Sequence, residues 1–301
     1  MKGSRKLLAV LLALVVGVVV AGCGGGGSSG SSSSGNNKLK LGVATGWDEN
    51  AVIANITKDI LTEDLGYQDV SLQELELGLV FQGVGDKDLD AFQDMWLPNH
   101  QAQLDSVQSD VVQLDPWYDG KTEFGIGVPT YMTDVNSIPD LNNTNVTEIL
   151  GIEPGAVISQ KVPDDVIPAY DLKQKYTESS TASMLSEVDS RYSKGEEFAF
   201  VPWRPHWMDA AYSFKFLDDP KDALGELNDS ATISSIVPKD LPDRDPVAYT
   251  FMNEVRLTEA DVNNIEDLNH DDKADAVSQW LKDDNNRAKL QPAIDAAKNA
   301  Q

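Results

Sequence analysis

The pattern of apolar and polar positions predicts a layered α/β lobe in the first half of the chain. Residues 38–43 alternate polar and apolar side chains, which is typical of a strand with one buried face. Apolar residues then recur every three or four positions from Val52 to Ile60, as on one face of a helix, and Gly66 ends that helix. Together with the apolar runs that follow, this predicts the order strand, helix, strand, helix, strand at residues 38–43, 52–66, 70–77, 79–84 and 89–96.

A second set of short apolar runs predicts a second lobe. Strands are predicted at 124–131, 149–152, 198–201 and 231–237, and helices at 136–141 and 182–192. Gly125, Gly127 and Pro129 favour a bend or an edge in the first of these strands. That strand and the strand at 231–237 are the candidates to cross between lobes. We expect lobe 1 at residues 38–130, lobe 2 at 131–236 and a mostly helical return to lobe 1 at 237–301.

Residues 1–37 have the composition of an export leader and a tether. Basic residues precede an apolar run at residues 7–20, which is shorter than the roughly 20 residues needed to span a bilayer as a helix. The small residues before Cys23, the only cysteine, resemble a bacterial lipobox. By that resemblance residues 1–22 are a signal peptide and Cys23 is lipidated, with an uncleaved anchor or a chance cysteine as the alternative. The Gly/Ser-rich stretch predicts a flexible tether at 23–37, which would hold the protein at the outer face of the cell membrane.

The charge of the chain limits its partners. It has 49 Asp and Glu against 24 Lys and Arg, with a formal net charge of −25. Binding to nucleic acid or to anionic lipid requires Lys and Arg against phosphate, so this composition argues against both. The acidic residues are dispersed rather than clustered, and we predict no metal site and no cofactor. Uniform acidity keeps a protein soluble and is the composition expected in high salt, from which we infer a halophilic source.

Three of the six tryptophans share one placement. Trp47, Trp96 and Trp203 each lie at or just after the C-terminal end of a predicted strand. In open α/β sheets ligands bind outside these strand ends, so we expect the three indoles to form an aromatic box in a cleft. Indole faces attract cations, and a quaternary ammonium group suits such a box because it carries charge but donates no ordinary hydrogen bond. For Trp203 alone, whose turn contains Pro202 and Pro205, a packed structural turn is the alternative.

An anion site is also predicted. Residues 154–158 follow a predicted strand and open a helix, where free backbone N–H groups favour an anion, although an ordinary Pro-Gly turn is the alternative. His100, four residues after Trp96, offers a further donor to a carboxylate, with a solvent-exposed loop histidine as the alternative. Together these features predict a small zwitterionic ligand with a methylated cation at one end and a carboxylate at the other.

Four runs of sequence carry a family resemblance: 46–50 (GWDEN), 96–100 (WLPNH), 151–155 (GIEPG) and 203–207 (WRPHW). Over about residues 38–280 the chain resembles the substrate-binding lipoproteins of glycine betaine/proline betaine ABC importers, the ProX/OpuAC-like family. The resemblance implies a two-lobe periplasmic-binding-protein type II fold with the ligand cleft between the lobes. It implies six ligand-binding residues: Trp47, Trp96, Trp203, His100, Val157 and Ile158. The tryptophans would cage the cation, while the histidine and the backbone N–H groups of the last two residues would bind the carboxylate.

The same resemblance implies a binding protein rather than an enzyme. Such a protein would deliver glycine betaine or proline betaine to the membrane subunits of an ABC importer for osmoprotectant uptake. Choline, carnitine or a sulfonium solute is an alternative ligand, because its cationic end suits the same box. An exported α/β hydrolase is a remote alternative. The predicted folded part has no Gly-x-Ser-x-Gly motif, the chain has no His-Glu-x-x-His motif, and its three histidines are scattered.

Overall fold

The computed structural model of the protein describes residues 38–300. The predicted signal peptide, the tether and the lipidation site at Cys23 lie outside the described residues. Over residues 38–300, no helix has both the length and the apolar content needed to cross a membrane. Strands and helices in this part of the chain form two five-stranded sheets with helices packed on them.

The strands of residues 38–300 follow one another as β1 (Lys38–Ala44), β2 (Asp69–Leu75), β3 (Ala91–Leu97), β4 (Val111–Gln113), β5 (Tyr118–Asp119), β6 (Glu123–Phe124), β7 (Gly127–Pro129), β8 (Glu148–Leu150), β9 (Lys175–Thr177), β10 (Ala199–Phe200), β11 (Trp203–Arg204), β12 (Phe214–Phe216), β13 (Thr232–Pro238) and β14 (Leu257–Thr258). The α-helices are α1 (Asp48–Glu63), α2 (Leu77–Gly85), α3 (Gln101–Val107), α4 (Val157–Lys161), α5 (Ile167–Tyr170), α6 (Thr181–Lys194), α7 (Met208–Ala211), α8 (Leu241–Arg244), α9 (Pro246–Glu254), α10 (Glu259–Leu268), α11 (Lys273–Leu281) and α12 (Asp284–Asn299). Short 3-10 helices cover Ile138–Asn143 and Gly225–Asn228, and a π-helical turn at Val162–Val166 joins α4 to α5.

The first sheet has the strand order β2-β1-β3-β13-β4 and is built mainly from the first half of the chain. Strand β1 runs parallel to β2 and β3, while β13 returns antiparallel to β3 and β4. Helix α1 packs on this sheet with its apolar face, on which Val52, Ile53, Ile56 and Ile60 are fully buried. Each strand and helix predicted for residues 38–96 is present.

The second sheet has the order β12-β7-β10-β8-β9. Strand β8 runs parallel to β9 and β10, and β7 runs antiparallel to β10 and β12. The helix predicted at 182–192 is present as α6 and ends at Gly195, which adopts the left-handed conformation that favours glycine. Lobe 1 denotes the first sheet with its helices, and lobe 2 denotes the second sheet with its helices.

The chain crosses between the two sheets twice. The strand predicted at 124–131 is broken in two, because Gly125 and Ile126 separate β6, which pairs with β11, from β7 in the second sheet. The return crossing lies between β12 in the second sheet and β13 in the first. The boundary predicted at residue 130 therefore falls directly after β7, and the boundary predicted at residue 236 falls inside β13.

Two tryptophans outside the predicted box belong to the core. Trp117 is fully buried and donates its indole N–H to the backbone oxygen of Gln93. Trp280 lies on the buried face of α11, as its helical spacing from Val277 predicts. Helix α11 packs on α1, and α9 packs on α1, β13 and α12, so the helices that follow β13 cover lobe 1.

Candidate functional site

An aromatic cavity lies between the ends of strands from both lobes. It measures about 300 Å³, counting the part that is open to solvent, and these residues line it: Trp47, Glu49, Trp96, Asn99, His100, Phe124, Ile152 and Trp203. The three tryptophans predicted to form a box and the predicted carboxylate donor His100 all contribute to it. Four of the six predicted ligand-binding residues are therefore brought together around one space.

Each of the three indoles is held by its own local structure. Trp47 lies between β1 and α1, where Gly46 with φ of +83° turns the chain, and its ring stacks on His100 with ring centres 5.5 Å apart. Trp96 ends the buried strand β3 and donates its indole N–H to Asp94 at 2.8 Å. Trp203 lies in β11, which pairs with β6, and its ring meets Phe124 edge-on. Contacts within the protein therefore hold all three rings in place.

The position and the tautomer of His100 make it a hydrogen-bond donor. The side chain is buried, and its Nδ1 accepts the backbone N–H of Trp96 at 3.1 Å. Burial lowers the pKa of His100 to about 3, so the imidazole is neutral near pH 7. A neutral imidazole whose Nδ1 accepts must carry its proton on Nε2, which leaves an N–H to donate to a ligand oxygen. The alternative of a solvent-exposed loop histidine is wrong.

The loop predicted to bind the carboxylate lies beside this cavity. Val157 and Ile158 are the first two residues of α4, and neither lines the aromatic cavity. The preceding residues Gly155 and Ala156 line a neighbouring cavity of about 190 Å³, which shares Trp47 with the aromatic one. The backbone N–H groups at the start of α4 are therefore near the box but not part of its wall, and their role stays a prediction.

Two tryptophan–carboxylate hydrogen bonds connect the lobes. The segment that contains Trp203 and Trp207 leaves β10 and returns to β12, both strands of lobe 2. The indole N–H of Trp203 donates to Glu49 at 3.2 Å, and that of Trp207 donates to Asp48 at 2.9 Å. Both carboxylates belong to the first turn of α1 in lobe 1. We call these two pairs the lobe clasp.

Asp48 gathers further partners around the clasp. Lys273 on α11 forms a salt bridge with Asp48 at 3.0 Å, and its side chain is almost completely buried. The Nε2 atom of His206 lies 3.6 Å from the same carboxylate oxygen, and its ring packs edge-on against Trp203. His206 and Trp207 therefore pack behind Trp203 and support its position at the cavity.

Three buried acids form what we call the acidic cluster: Glu49, which lines the cavity, and Asp94 and Glu266, whose charges act on Glu49. Burial, followed by the charges of the other two acids, raises the pKa of Glu49 well above its ordinary value. Burial also raises the pKa of Asp94 to about 7 and that of Glu266 to about 8. Residues 38–300 contain no group of three such side chains arranged to hold a metal ion. Through Glu49, the cluster reaches the wall of the aromatic cavity.

Replacing Glu266 with Gln is expected to remove part of the pH dependence of the free energy of unfolding. The pKa of Glu266 is about 8 in the folded chain against an ordinary 4.5, so the folded state binds more protons between these values. Stability must then fall as pH rises. From pH 6 to pH 8 this single group should remove about 2 kcal/mol from the wild type and nothing from the variant. Urea denaturation at both pH values measures the difference, and equal pH slopes would contradict the assignment.

A family model decides where the chain belongs. The model described as the substrate binding domain of the ABC-type glycine betaine transport system matches residues 37–283, which is most of the chain. The chain belongs to this family. The cavity and the clasp lie within the matched residues, so the family's binding domain contains the whole candidate site.

Individual relatives of this glycine betaine binding family match in sequence and in fold. The glycine betaine/carnitine transport binding protein GbuC of Listeria monocytogenes is 29% identical over 158 residues, which span 51% of this chain and 51% of the relative. Lactococcal OpuAC, in its closed conformation with glycine betaine, is 28% identical with a TM-score of 0.75 over 85% of this chain and 99% of that chain. The glycine betaine/L-proline-binding protein ProX of Borrelia burgdorferi is 20% identical with a TM-score of 0.74, over 86% and 99% of the two chains.

These matches bear on two of the predictions made above. The predicted two-lobe, type II periplasmic-binding-protein fold is confirmed by the agreement with the OpuAC and ProX structures over nearly their whole lengths. The resemblance to the glycine betaine binding family is confirmed by the family model. The sequence match to the Listeria protein spans only about half of that relative.

Several residues that line this family member's cavity were missed from sequence. Glu49 belongs to the motif at 46–50, and it precedes Val52, Ile53 and Ile56 by three, four and seven positions. That spacing puts it on the buried face of α1, and it is 1% exposed. Phe124, which the sequence predicts only as part of a strand, adds a further aromatic ring that contacts both Trp96 and Trp203.

The role of Arg204 also emerges only from the structure. Its guanidinium forms salt bridges with Glu123 on β6 and Asp209 on α7. It also lies over the rings of Phe214 and Phe216, at 5.3 and 5.1 Å from their centres. Arg204 therefore fastens the turn that carries Trp203 to the rest of lobe 2 and does not reach the cavity.

Proposed function

We propose that this chain is the extracytoplasmic substrate-binding protein of an ABC importer and captures glycine betaine or proline betaine. The observation that carries the proposal is the aromatic cavity itself. Trp47, Trp96 and Trp203 supply three electron-rich faces, and the neutral His100 offers an N–H at the same space. Such a set fits a ligand with a methylated cation and a carboxylate.

The cationic end of the ligand would occupy the space between the three indoles. A quaternary ammonium group donates no ordinary hydrogen bond, and its methyl groups pack well against aromatic faces. Each desolvated cation–π contact contributes about 2 kcal/mol. Three such contacts and an anion site would offset the loss of ligand freedom and reach roughly −8 kcal/mol, which corresponds to micromolar affinity.

The carboxylate end would face the donors at the edge of the box. His100 offers its Nε2–H, and the backbone N–H groups of Val157 and Ile158 lie at the start of α4 in lobe 2. The first of these groups belongs to lobe 1 and the others to lobe 2. A ligand that engages both would favour the closed arrangement of the lobes, and the importer's membrane subunits would recognise that arrangement.

The cellular setting that we propose follows from the leader and the charge. Residues 1–22 would direct export, and lipidation of Cys23 would anchor the protein to the outer face of the cell membrane through the tether. The excess of 49 acidic over 24 basic residues suits an exposed protein of a halophile. An organism in high salt would use the solute as an osmoprotectant.

A titration with a matched non-methylated ligand tests the proposal. Glycine betaine and proline betaine should change the tryptophan fluorescence of the purified protein saturably, with roughly micromolar affinity. Glycine, which has the same carboxylate but a well-hydrated ammonium group, should produce no saturable change at the same concentrations. Choline, carnitine and a sulfonium solute in parallel identify which ligand binds most tightly. A protein that responds to no methylated cation would sink the proposal.

A further inference from the structure

Among residues 38–300, Glu49 is the one acidic side chain that lines the aromatic cavity. It reaches the cavity from the first turn of α1 and is 1% exposed. Its carboxylate accepts the indole N–H of Trp203 at 3.2 Å, so it touches both the space and one of the walls. The cage that would hold a cation therefore contains a carboxyl group in direct contact with an indole.

The other two members of the acidic cluster are poorly satisfied. Asp94 on β3 uses one oxygen to accept the indole N–H of Trp96, and its Oδ2 is buried without a partner. The carboxyl group of Glu266 on α10 is fully buried, has no side-chain donor among residues 38–300 and faces the backbone N–H of Trp207. Lys273 forms its salt bridge with Asp48, and its charge lowers the pKa of Glu266, but burial outweighs this effect. Buried carboxyl groups close to one another resist ionising together.

Acidic and aromatic groups from several elements surround Glu49. Asp94 of β3 and Glu266 of α10 act on its charge. Tyr118 of β5 is also nearby: burial raises the pKa of this phenol, and the charges of Glu259, Glu266 and Glu49 raise it further. From lobe 2 it accepts the indole N–H of Trp203. Its neighbour Asp48 contacts a different set of residues: Lys273, His206 and Trp207. These surroundings favour a protonated carboxyl group in the ligand-free protein.

We propose that Glu49 releases a proton to solvent when the cationic group of the ligand enters the aromatic cavity, so that ligand capture and proton release are linked. The inference rests on the proposed function, because it requires a methylated cation in this cavity. The exchange is balanced: the O–H bond of the neutral carboxyl group breaks, its proton leaves to water, and the carboxylate faces the permanent charge of the ligand. The ligand itself neither gives nor takes a proton.

The linkage fixes the direction of the pH effect. Burial and the neighbouring acids raise the pKa of Glu49 in the free protein, and an adjacent cation lowers the pKa of a carboxyl group. The free protein then holds more protons than the complex, so binding must tighten as pH rises through this range. For one proton released, the dissociation constant should fall by up to about tenfold per pH unit. His100, with a pKa of about 3, stays neutral throughout.

The experiment measures affinity and proton count together. The dissociation constant for glycine betaine is determined by calorimetry from pH 5.5 to 8.5, in buffers with different ionisation enthalpies. The buffer dependence of the heat counts the protons released. Wild type should release up to one proton and bind more tightly at high pH. Glu49→Gln keeps an oxygen to accept the N–H of Trp203 and should bind with a clearly weaker pH dependence than the wild type.

Glu148→Gln is the matched control. Glu148 is a partly buried carboxylate of β8, outside the cavity, and its hydrogen bonds to Thr177 and Arg191 lower its pKa below this range. The control should keep the wild-type pH slope. Binding with a flat pH profile and no proton release, or an unchanged slope in Glu49→Gln, would overturn the inference while leaving the proposed function intact. Absence of binding at every pH would overturn the proposed function instead. If Glu49→Gln does not fold, a wild type that releases no proton on binding still overturns the inference.

Discussion

Trp203→Ala is expected to weaken glycine betaine binding about 100-fold, which is close to 3 kcal/mol. The substitution removes one aromatic face from the cation, which contributes about 2 kcal/mol when desolvated. It also removes the N–H that Glu49 accepts, so the carboxyl group in the cavity wall loses its donor. Titration of the variant and the wild type at one pH, normalised to folded protein, measures the loss.

Trp280→Ala is the control for this prediction. Trp280 is buried to a similar degree, but it lies in α11 and does not line the cavity. Its truncation should lower the free energy of unfolding by roughly 3–5 kcal/mol, as expected for a buried aromatic side chain, while the folded fraction binds normally. If both variants lost affinity equally, the assignment of Trp203 to the cage would be wrong.

Asp48→Ala should lower the free energy of unfolding by about 3 kcal/mol, because it strands a buried cation. Lys273 has only 7% of its side chain exposed, and Asp48 is its salt-bridge partner. Burial raises the pKa of Asp48 in spite of the opposing effect of Lys273, which shows how poorly hydrated the pair is. The loss also includes the hydrogen bond from Trp207 that forms half of the lobe clasp. Urea denaturation at pH 7 measures the change.

A double-variant cycle separates the two contributions. Lys273→Met removes the charge but keeps most of the apolar stem, so the pair Asp48→Ala and Lys273→Met should recover much of the stability that the first substitution loses. If the double variant were as unstable as the sum of the two single variants, the salt bridge would not be the reason. A residual loss in the double variant reports the bond from Trp207 and the packing of His206.

Much of the site could be predicted because its parts are local. Trp47 and Trp96 follow strands whose apolar patterns are plain, and strand ends are where α/β sheets bind ligands. The placement of Trp203 at the site could be predicted only with the neighbouring prolines and the family motif. The break of the strand predicted at 124–131 was signalled by its glycines, but the sequence does not say which sheet each half joins.

The rest depends on contacts between residues far apart in the chain. The hydrogen bond between Trp203 and Glu49 joins positions 154 residues apart, and no local pattern encodes it. The tautomer of His100 depends on the backbone of Trp96, which only the turn after β3 brings within reach. The acidic cluster combines side chains of α1, β3 and α10, and their pKa values follow from the burial that the assembled fold imposes.

The phase of α1 has a consequence for how this protein can change over generations. Glu49 and the core residues Val52, Ile53 and Ile56 lie on one face of the helix. The position of the carboxyl group in the cavity wall therefore depends on how α1 packs into the hydrophobic core. One residue inserted between Glu49 and Val52 would rotate the carboxyl group by about 100° away from that face. Related sequences can therefore carry other side chains at these positions, but the number of residues between Trp47 and the first core position should be the same in every functional relative. The loops far from this junction are free to vary in length.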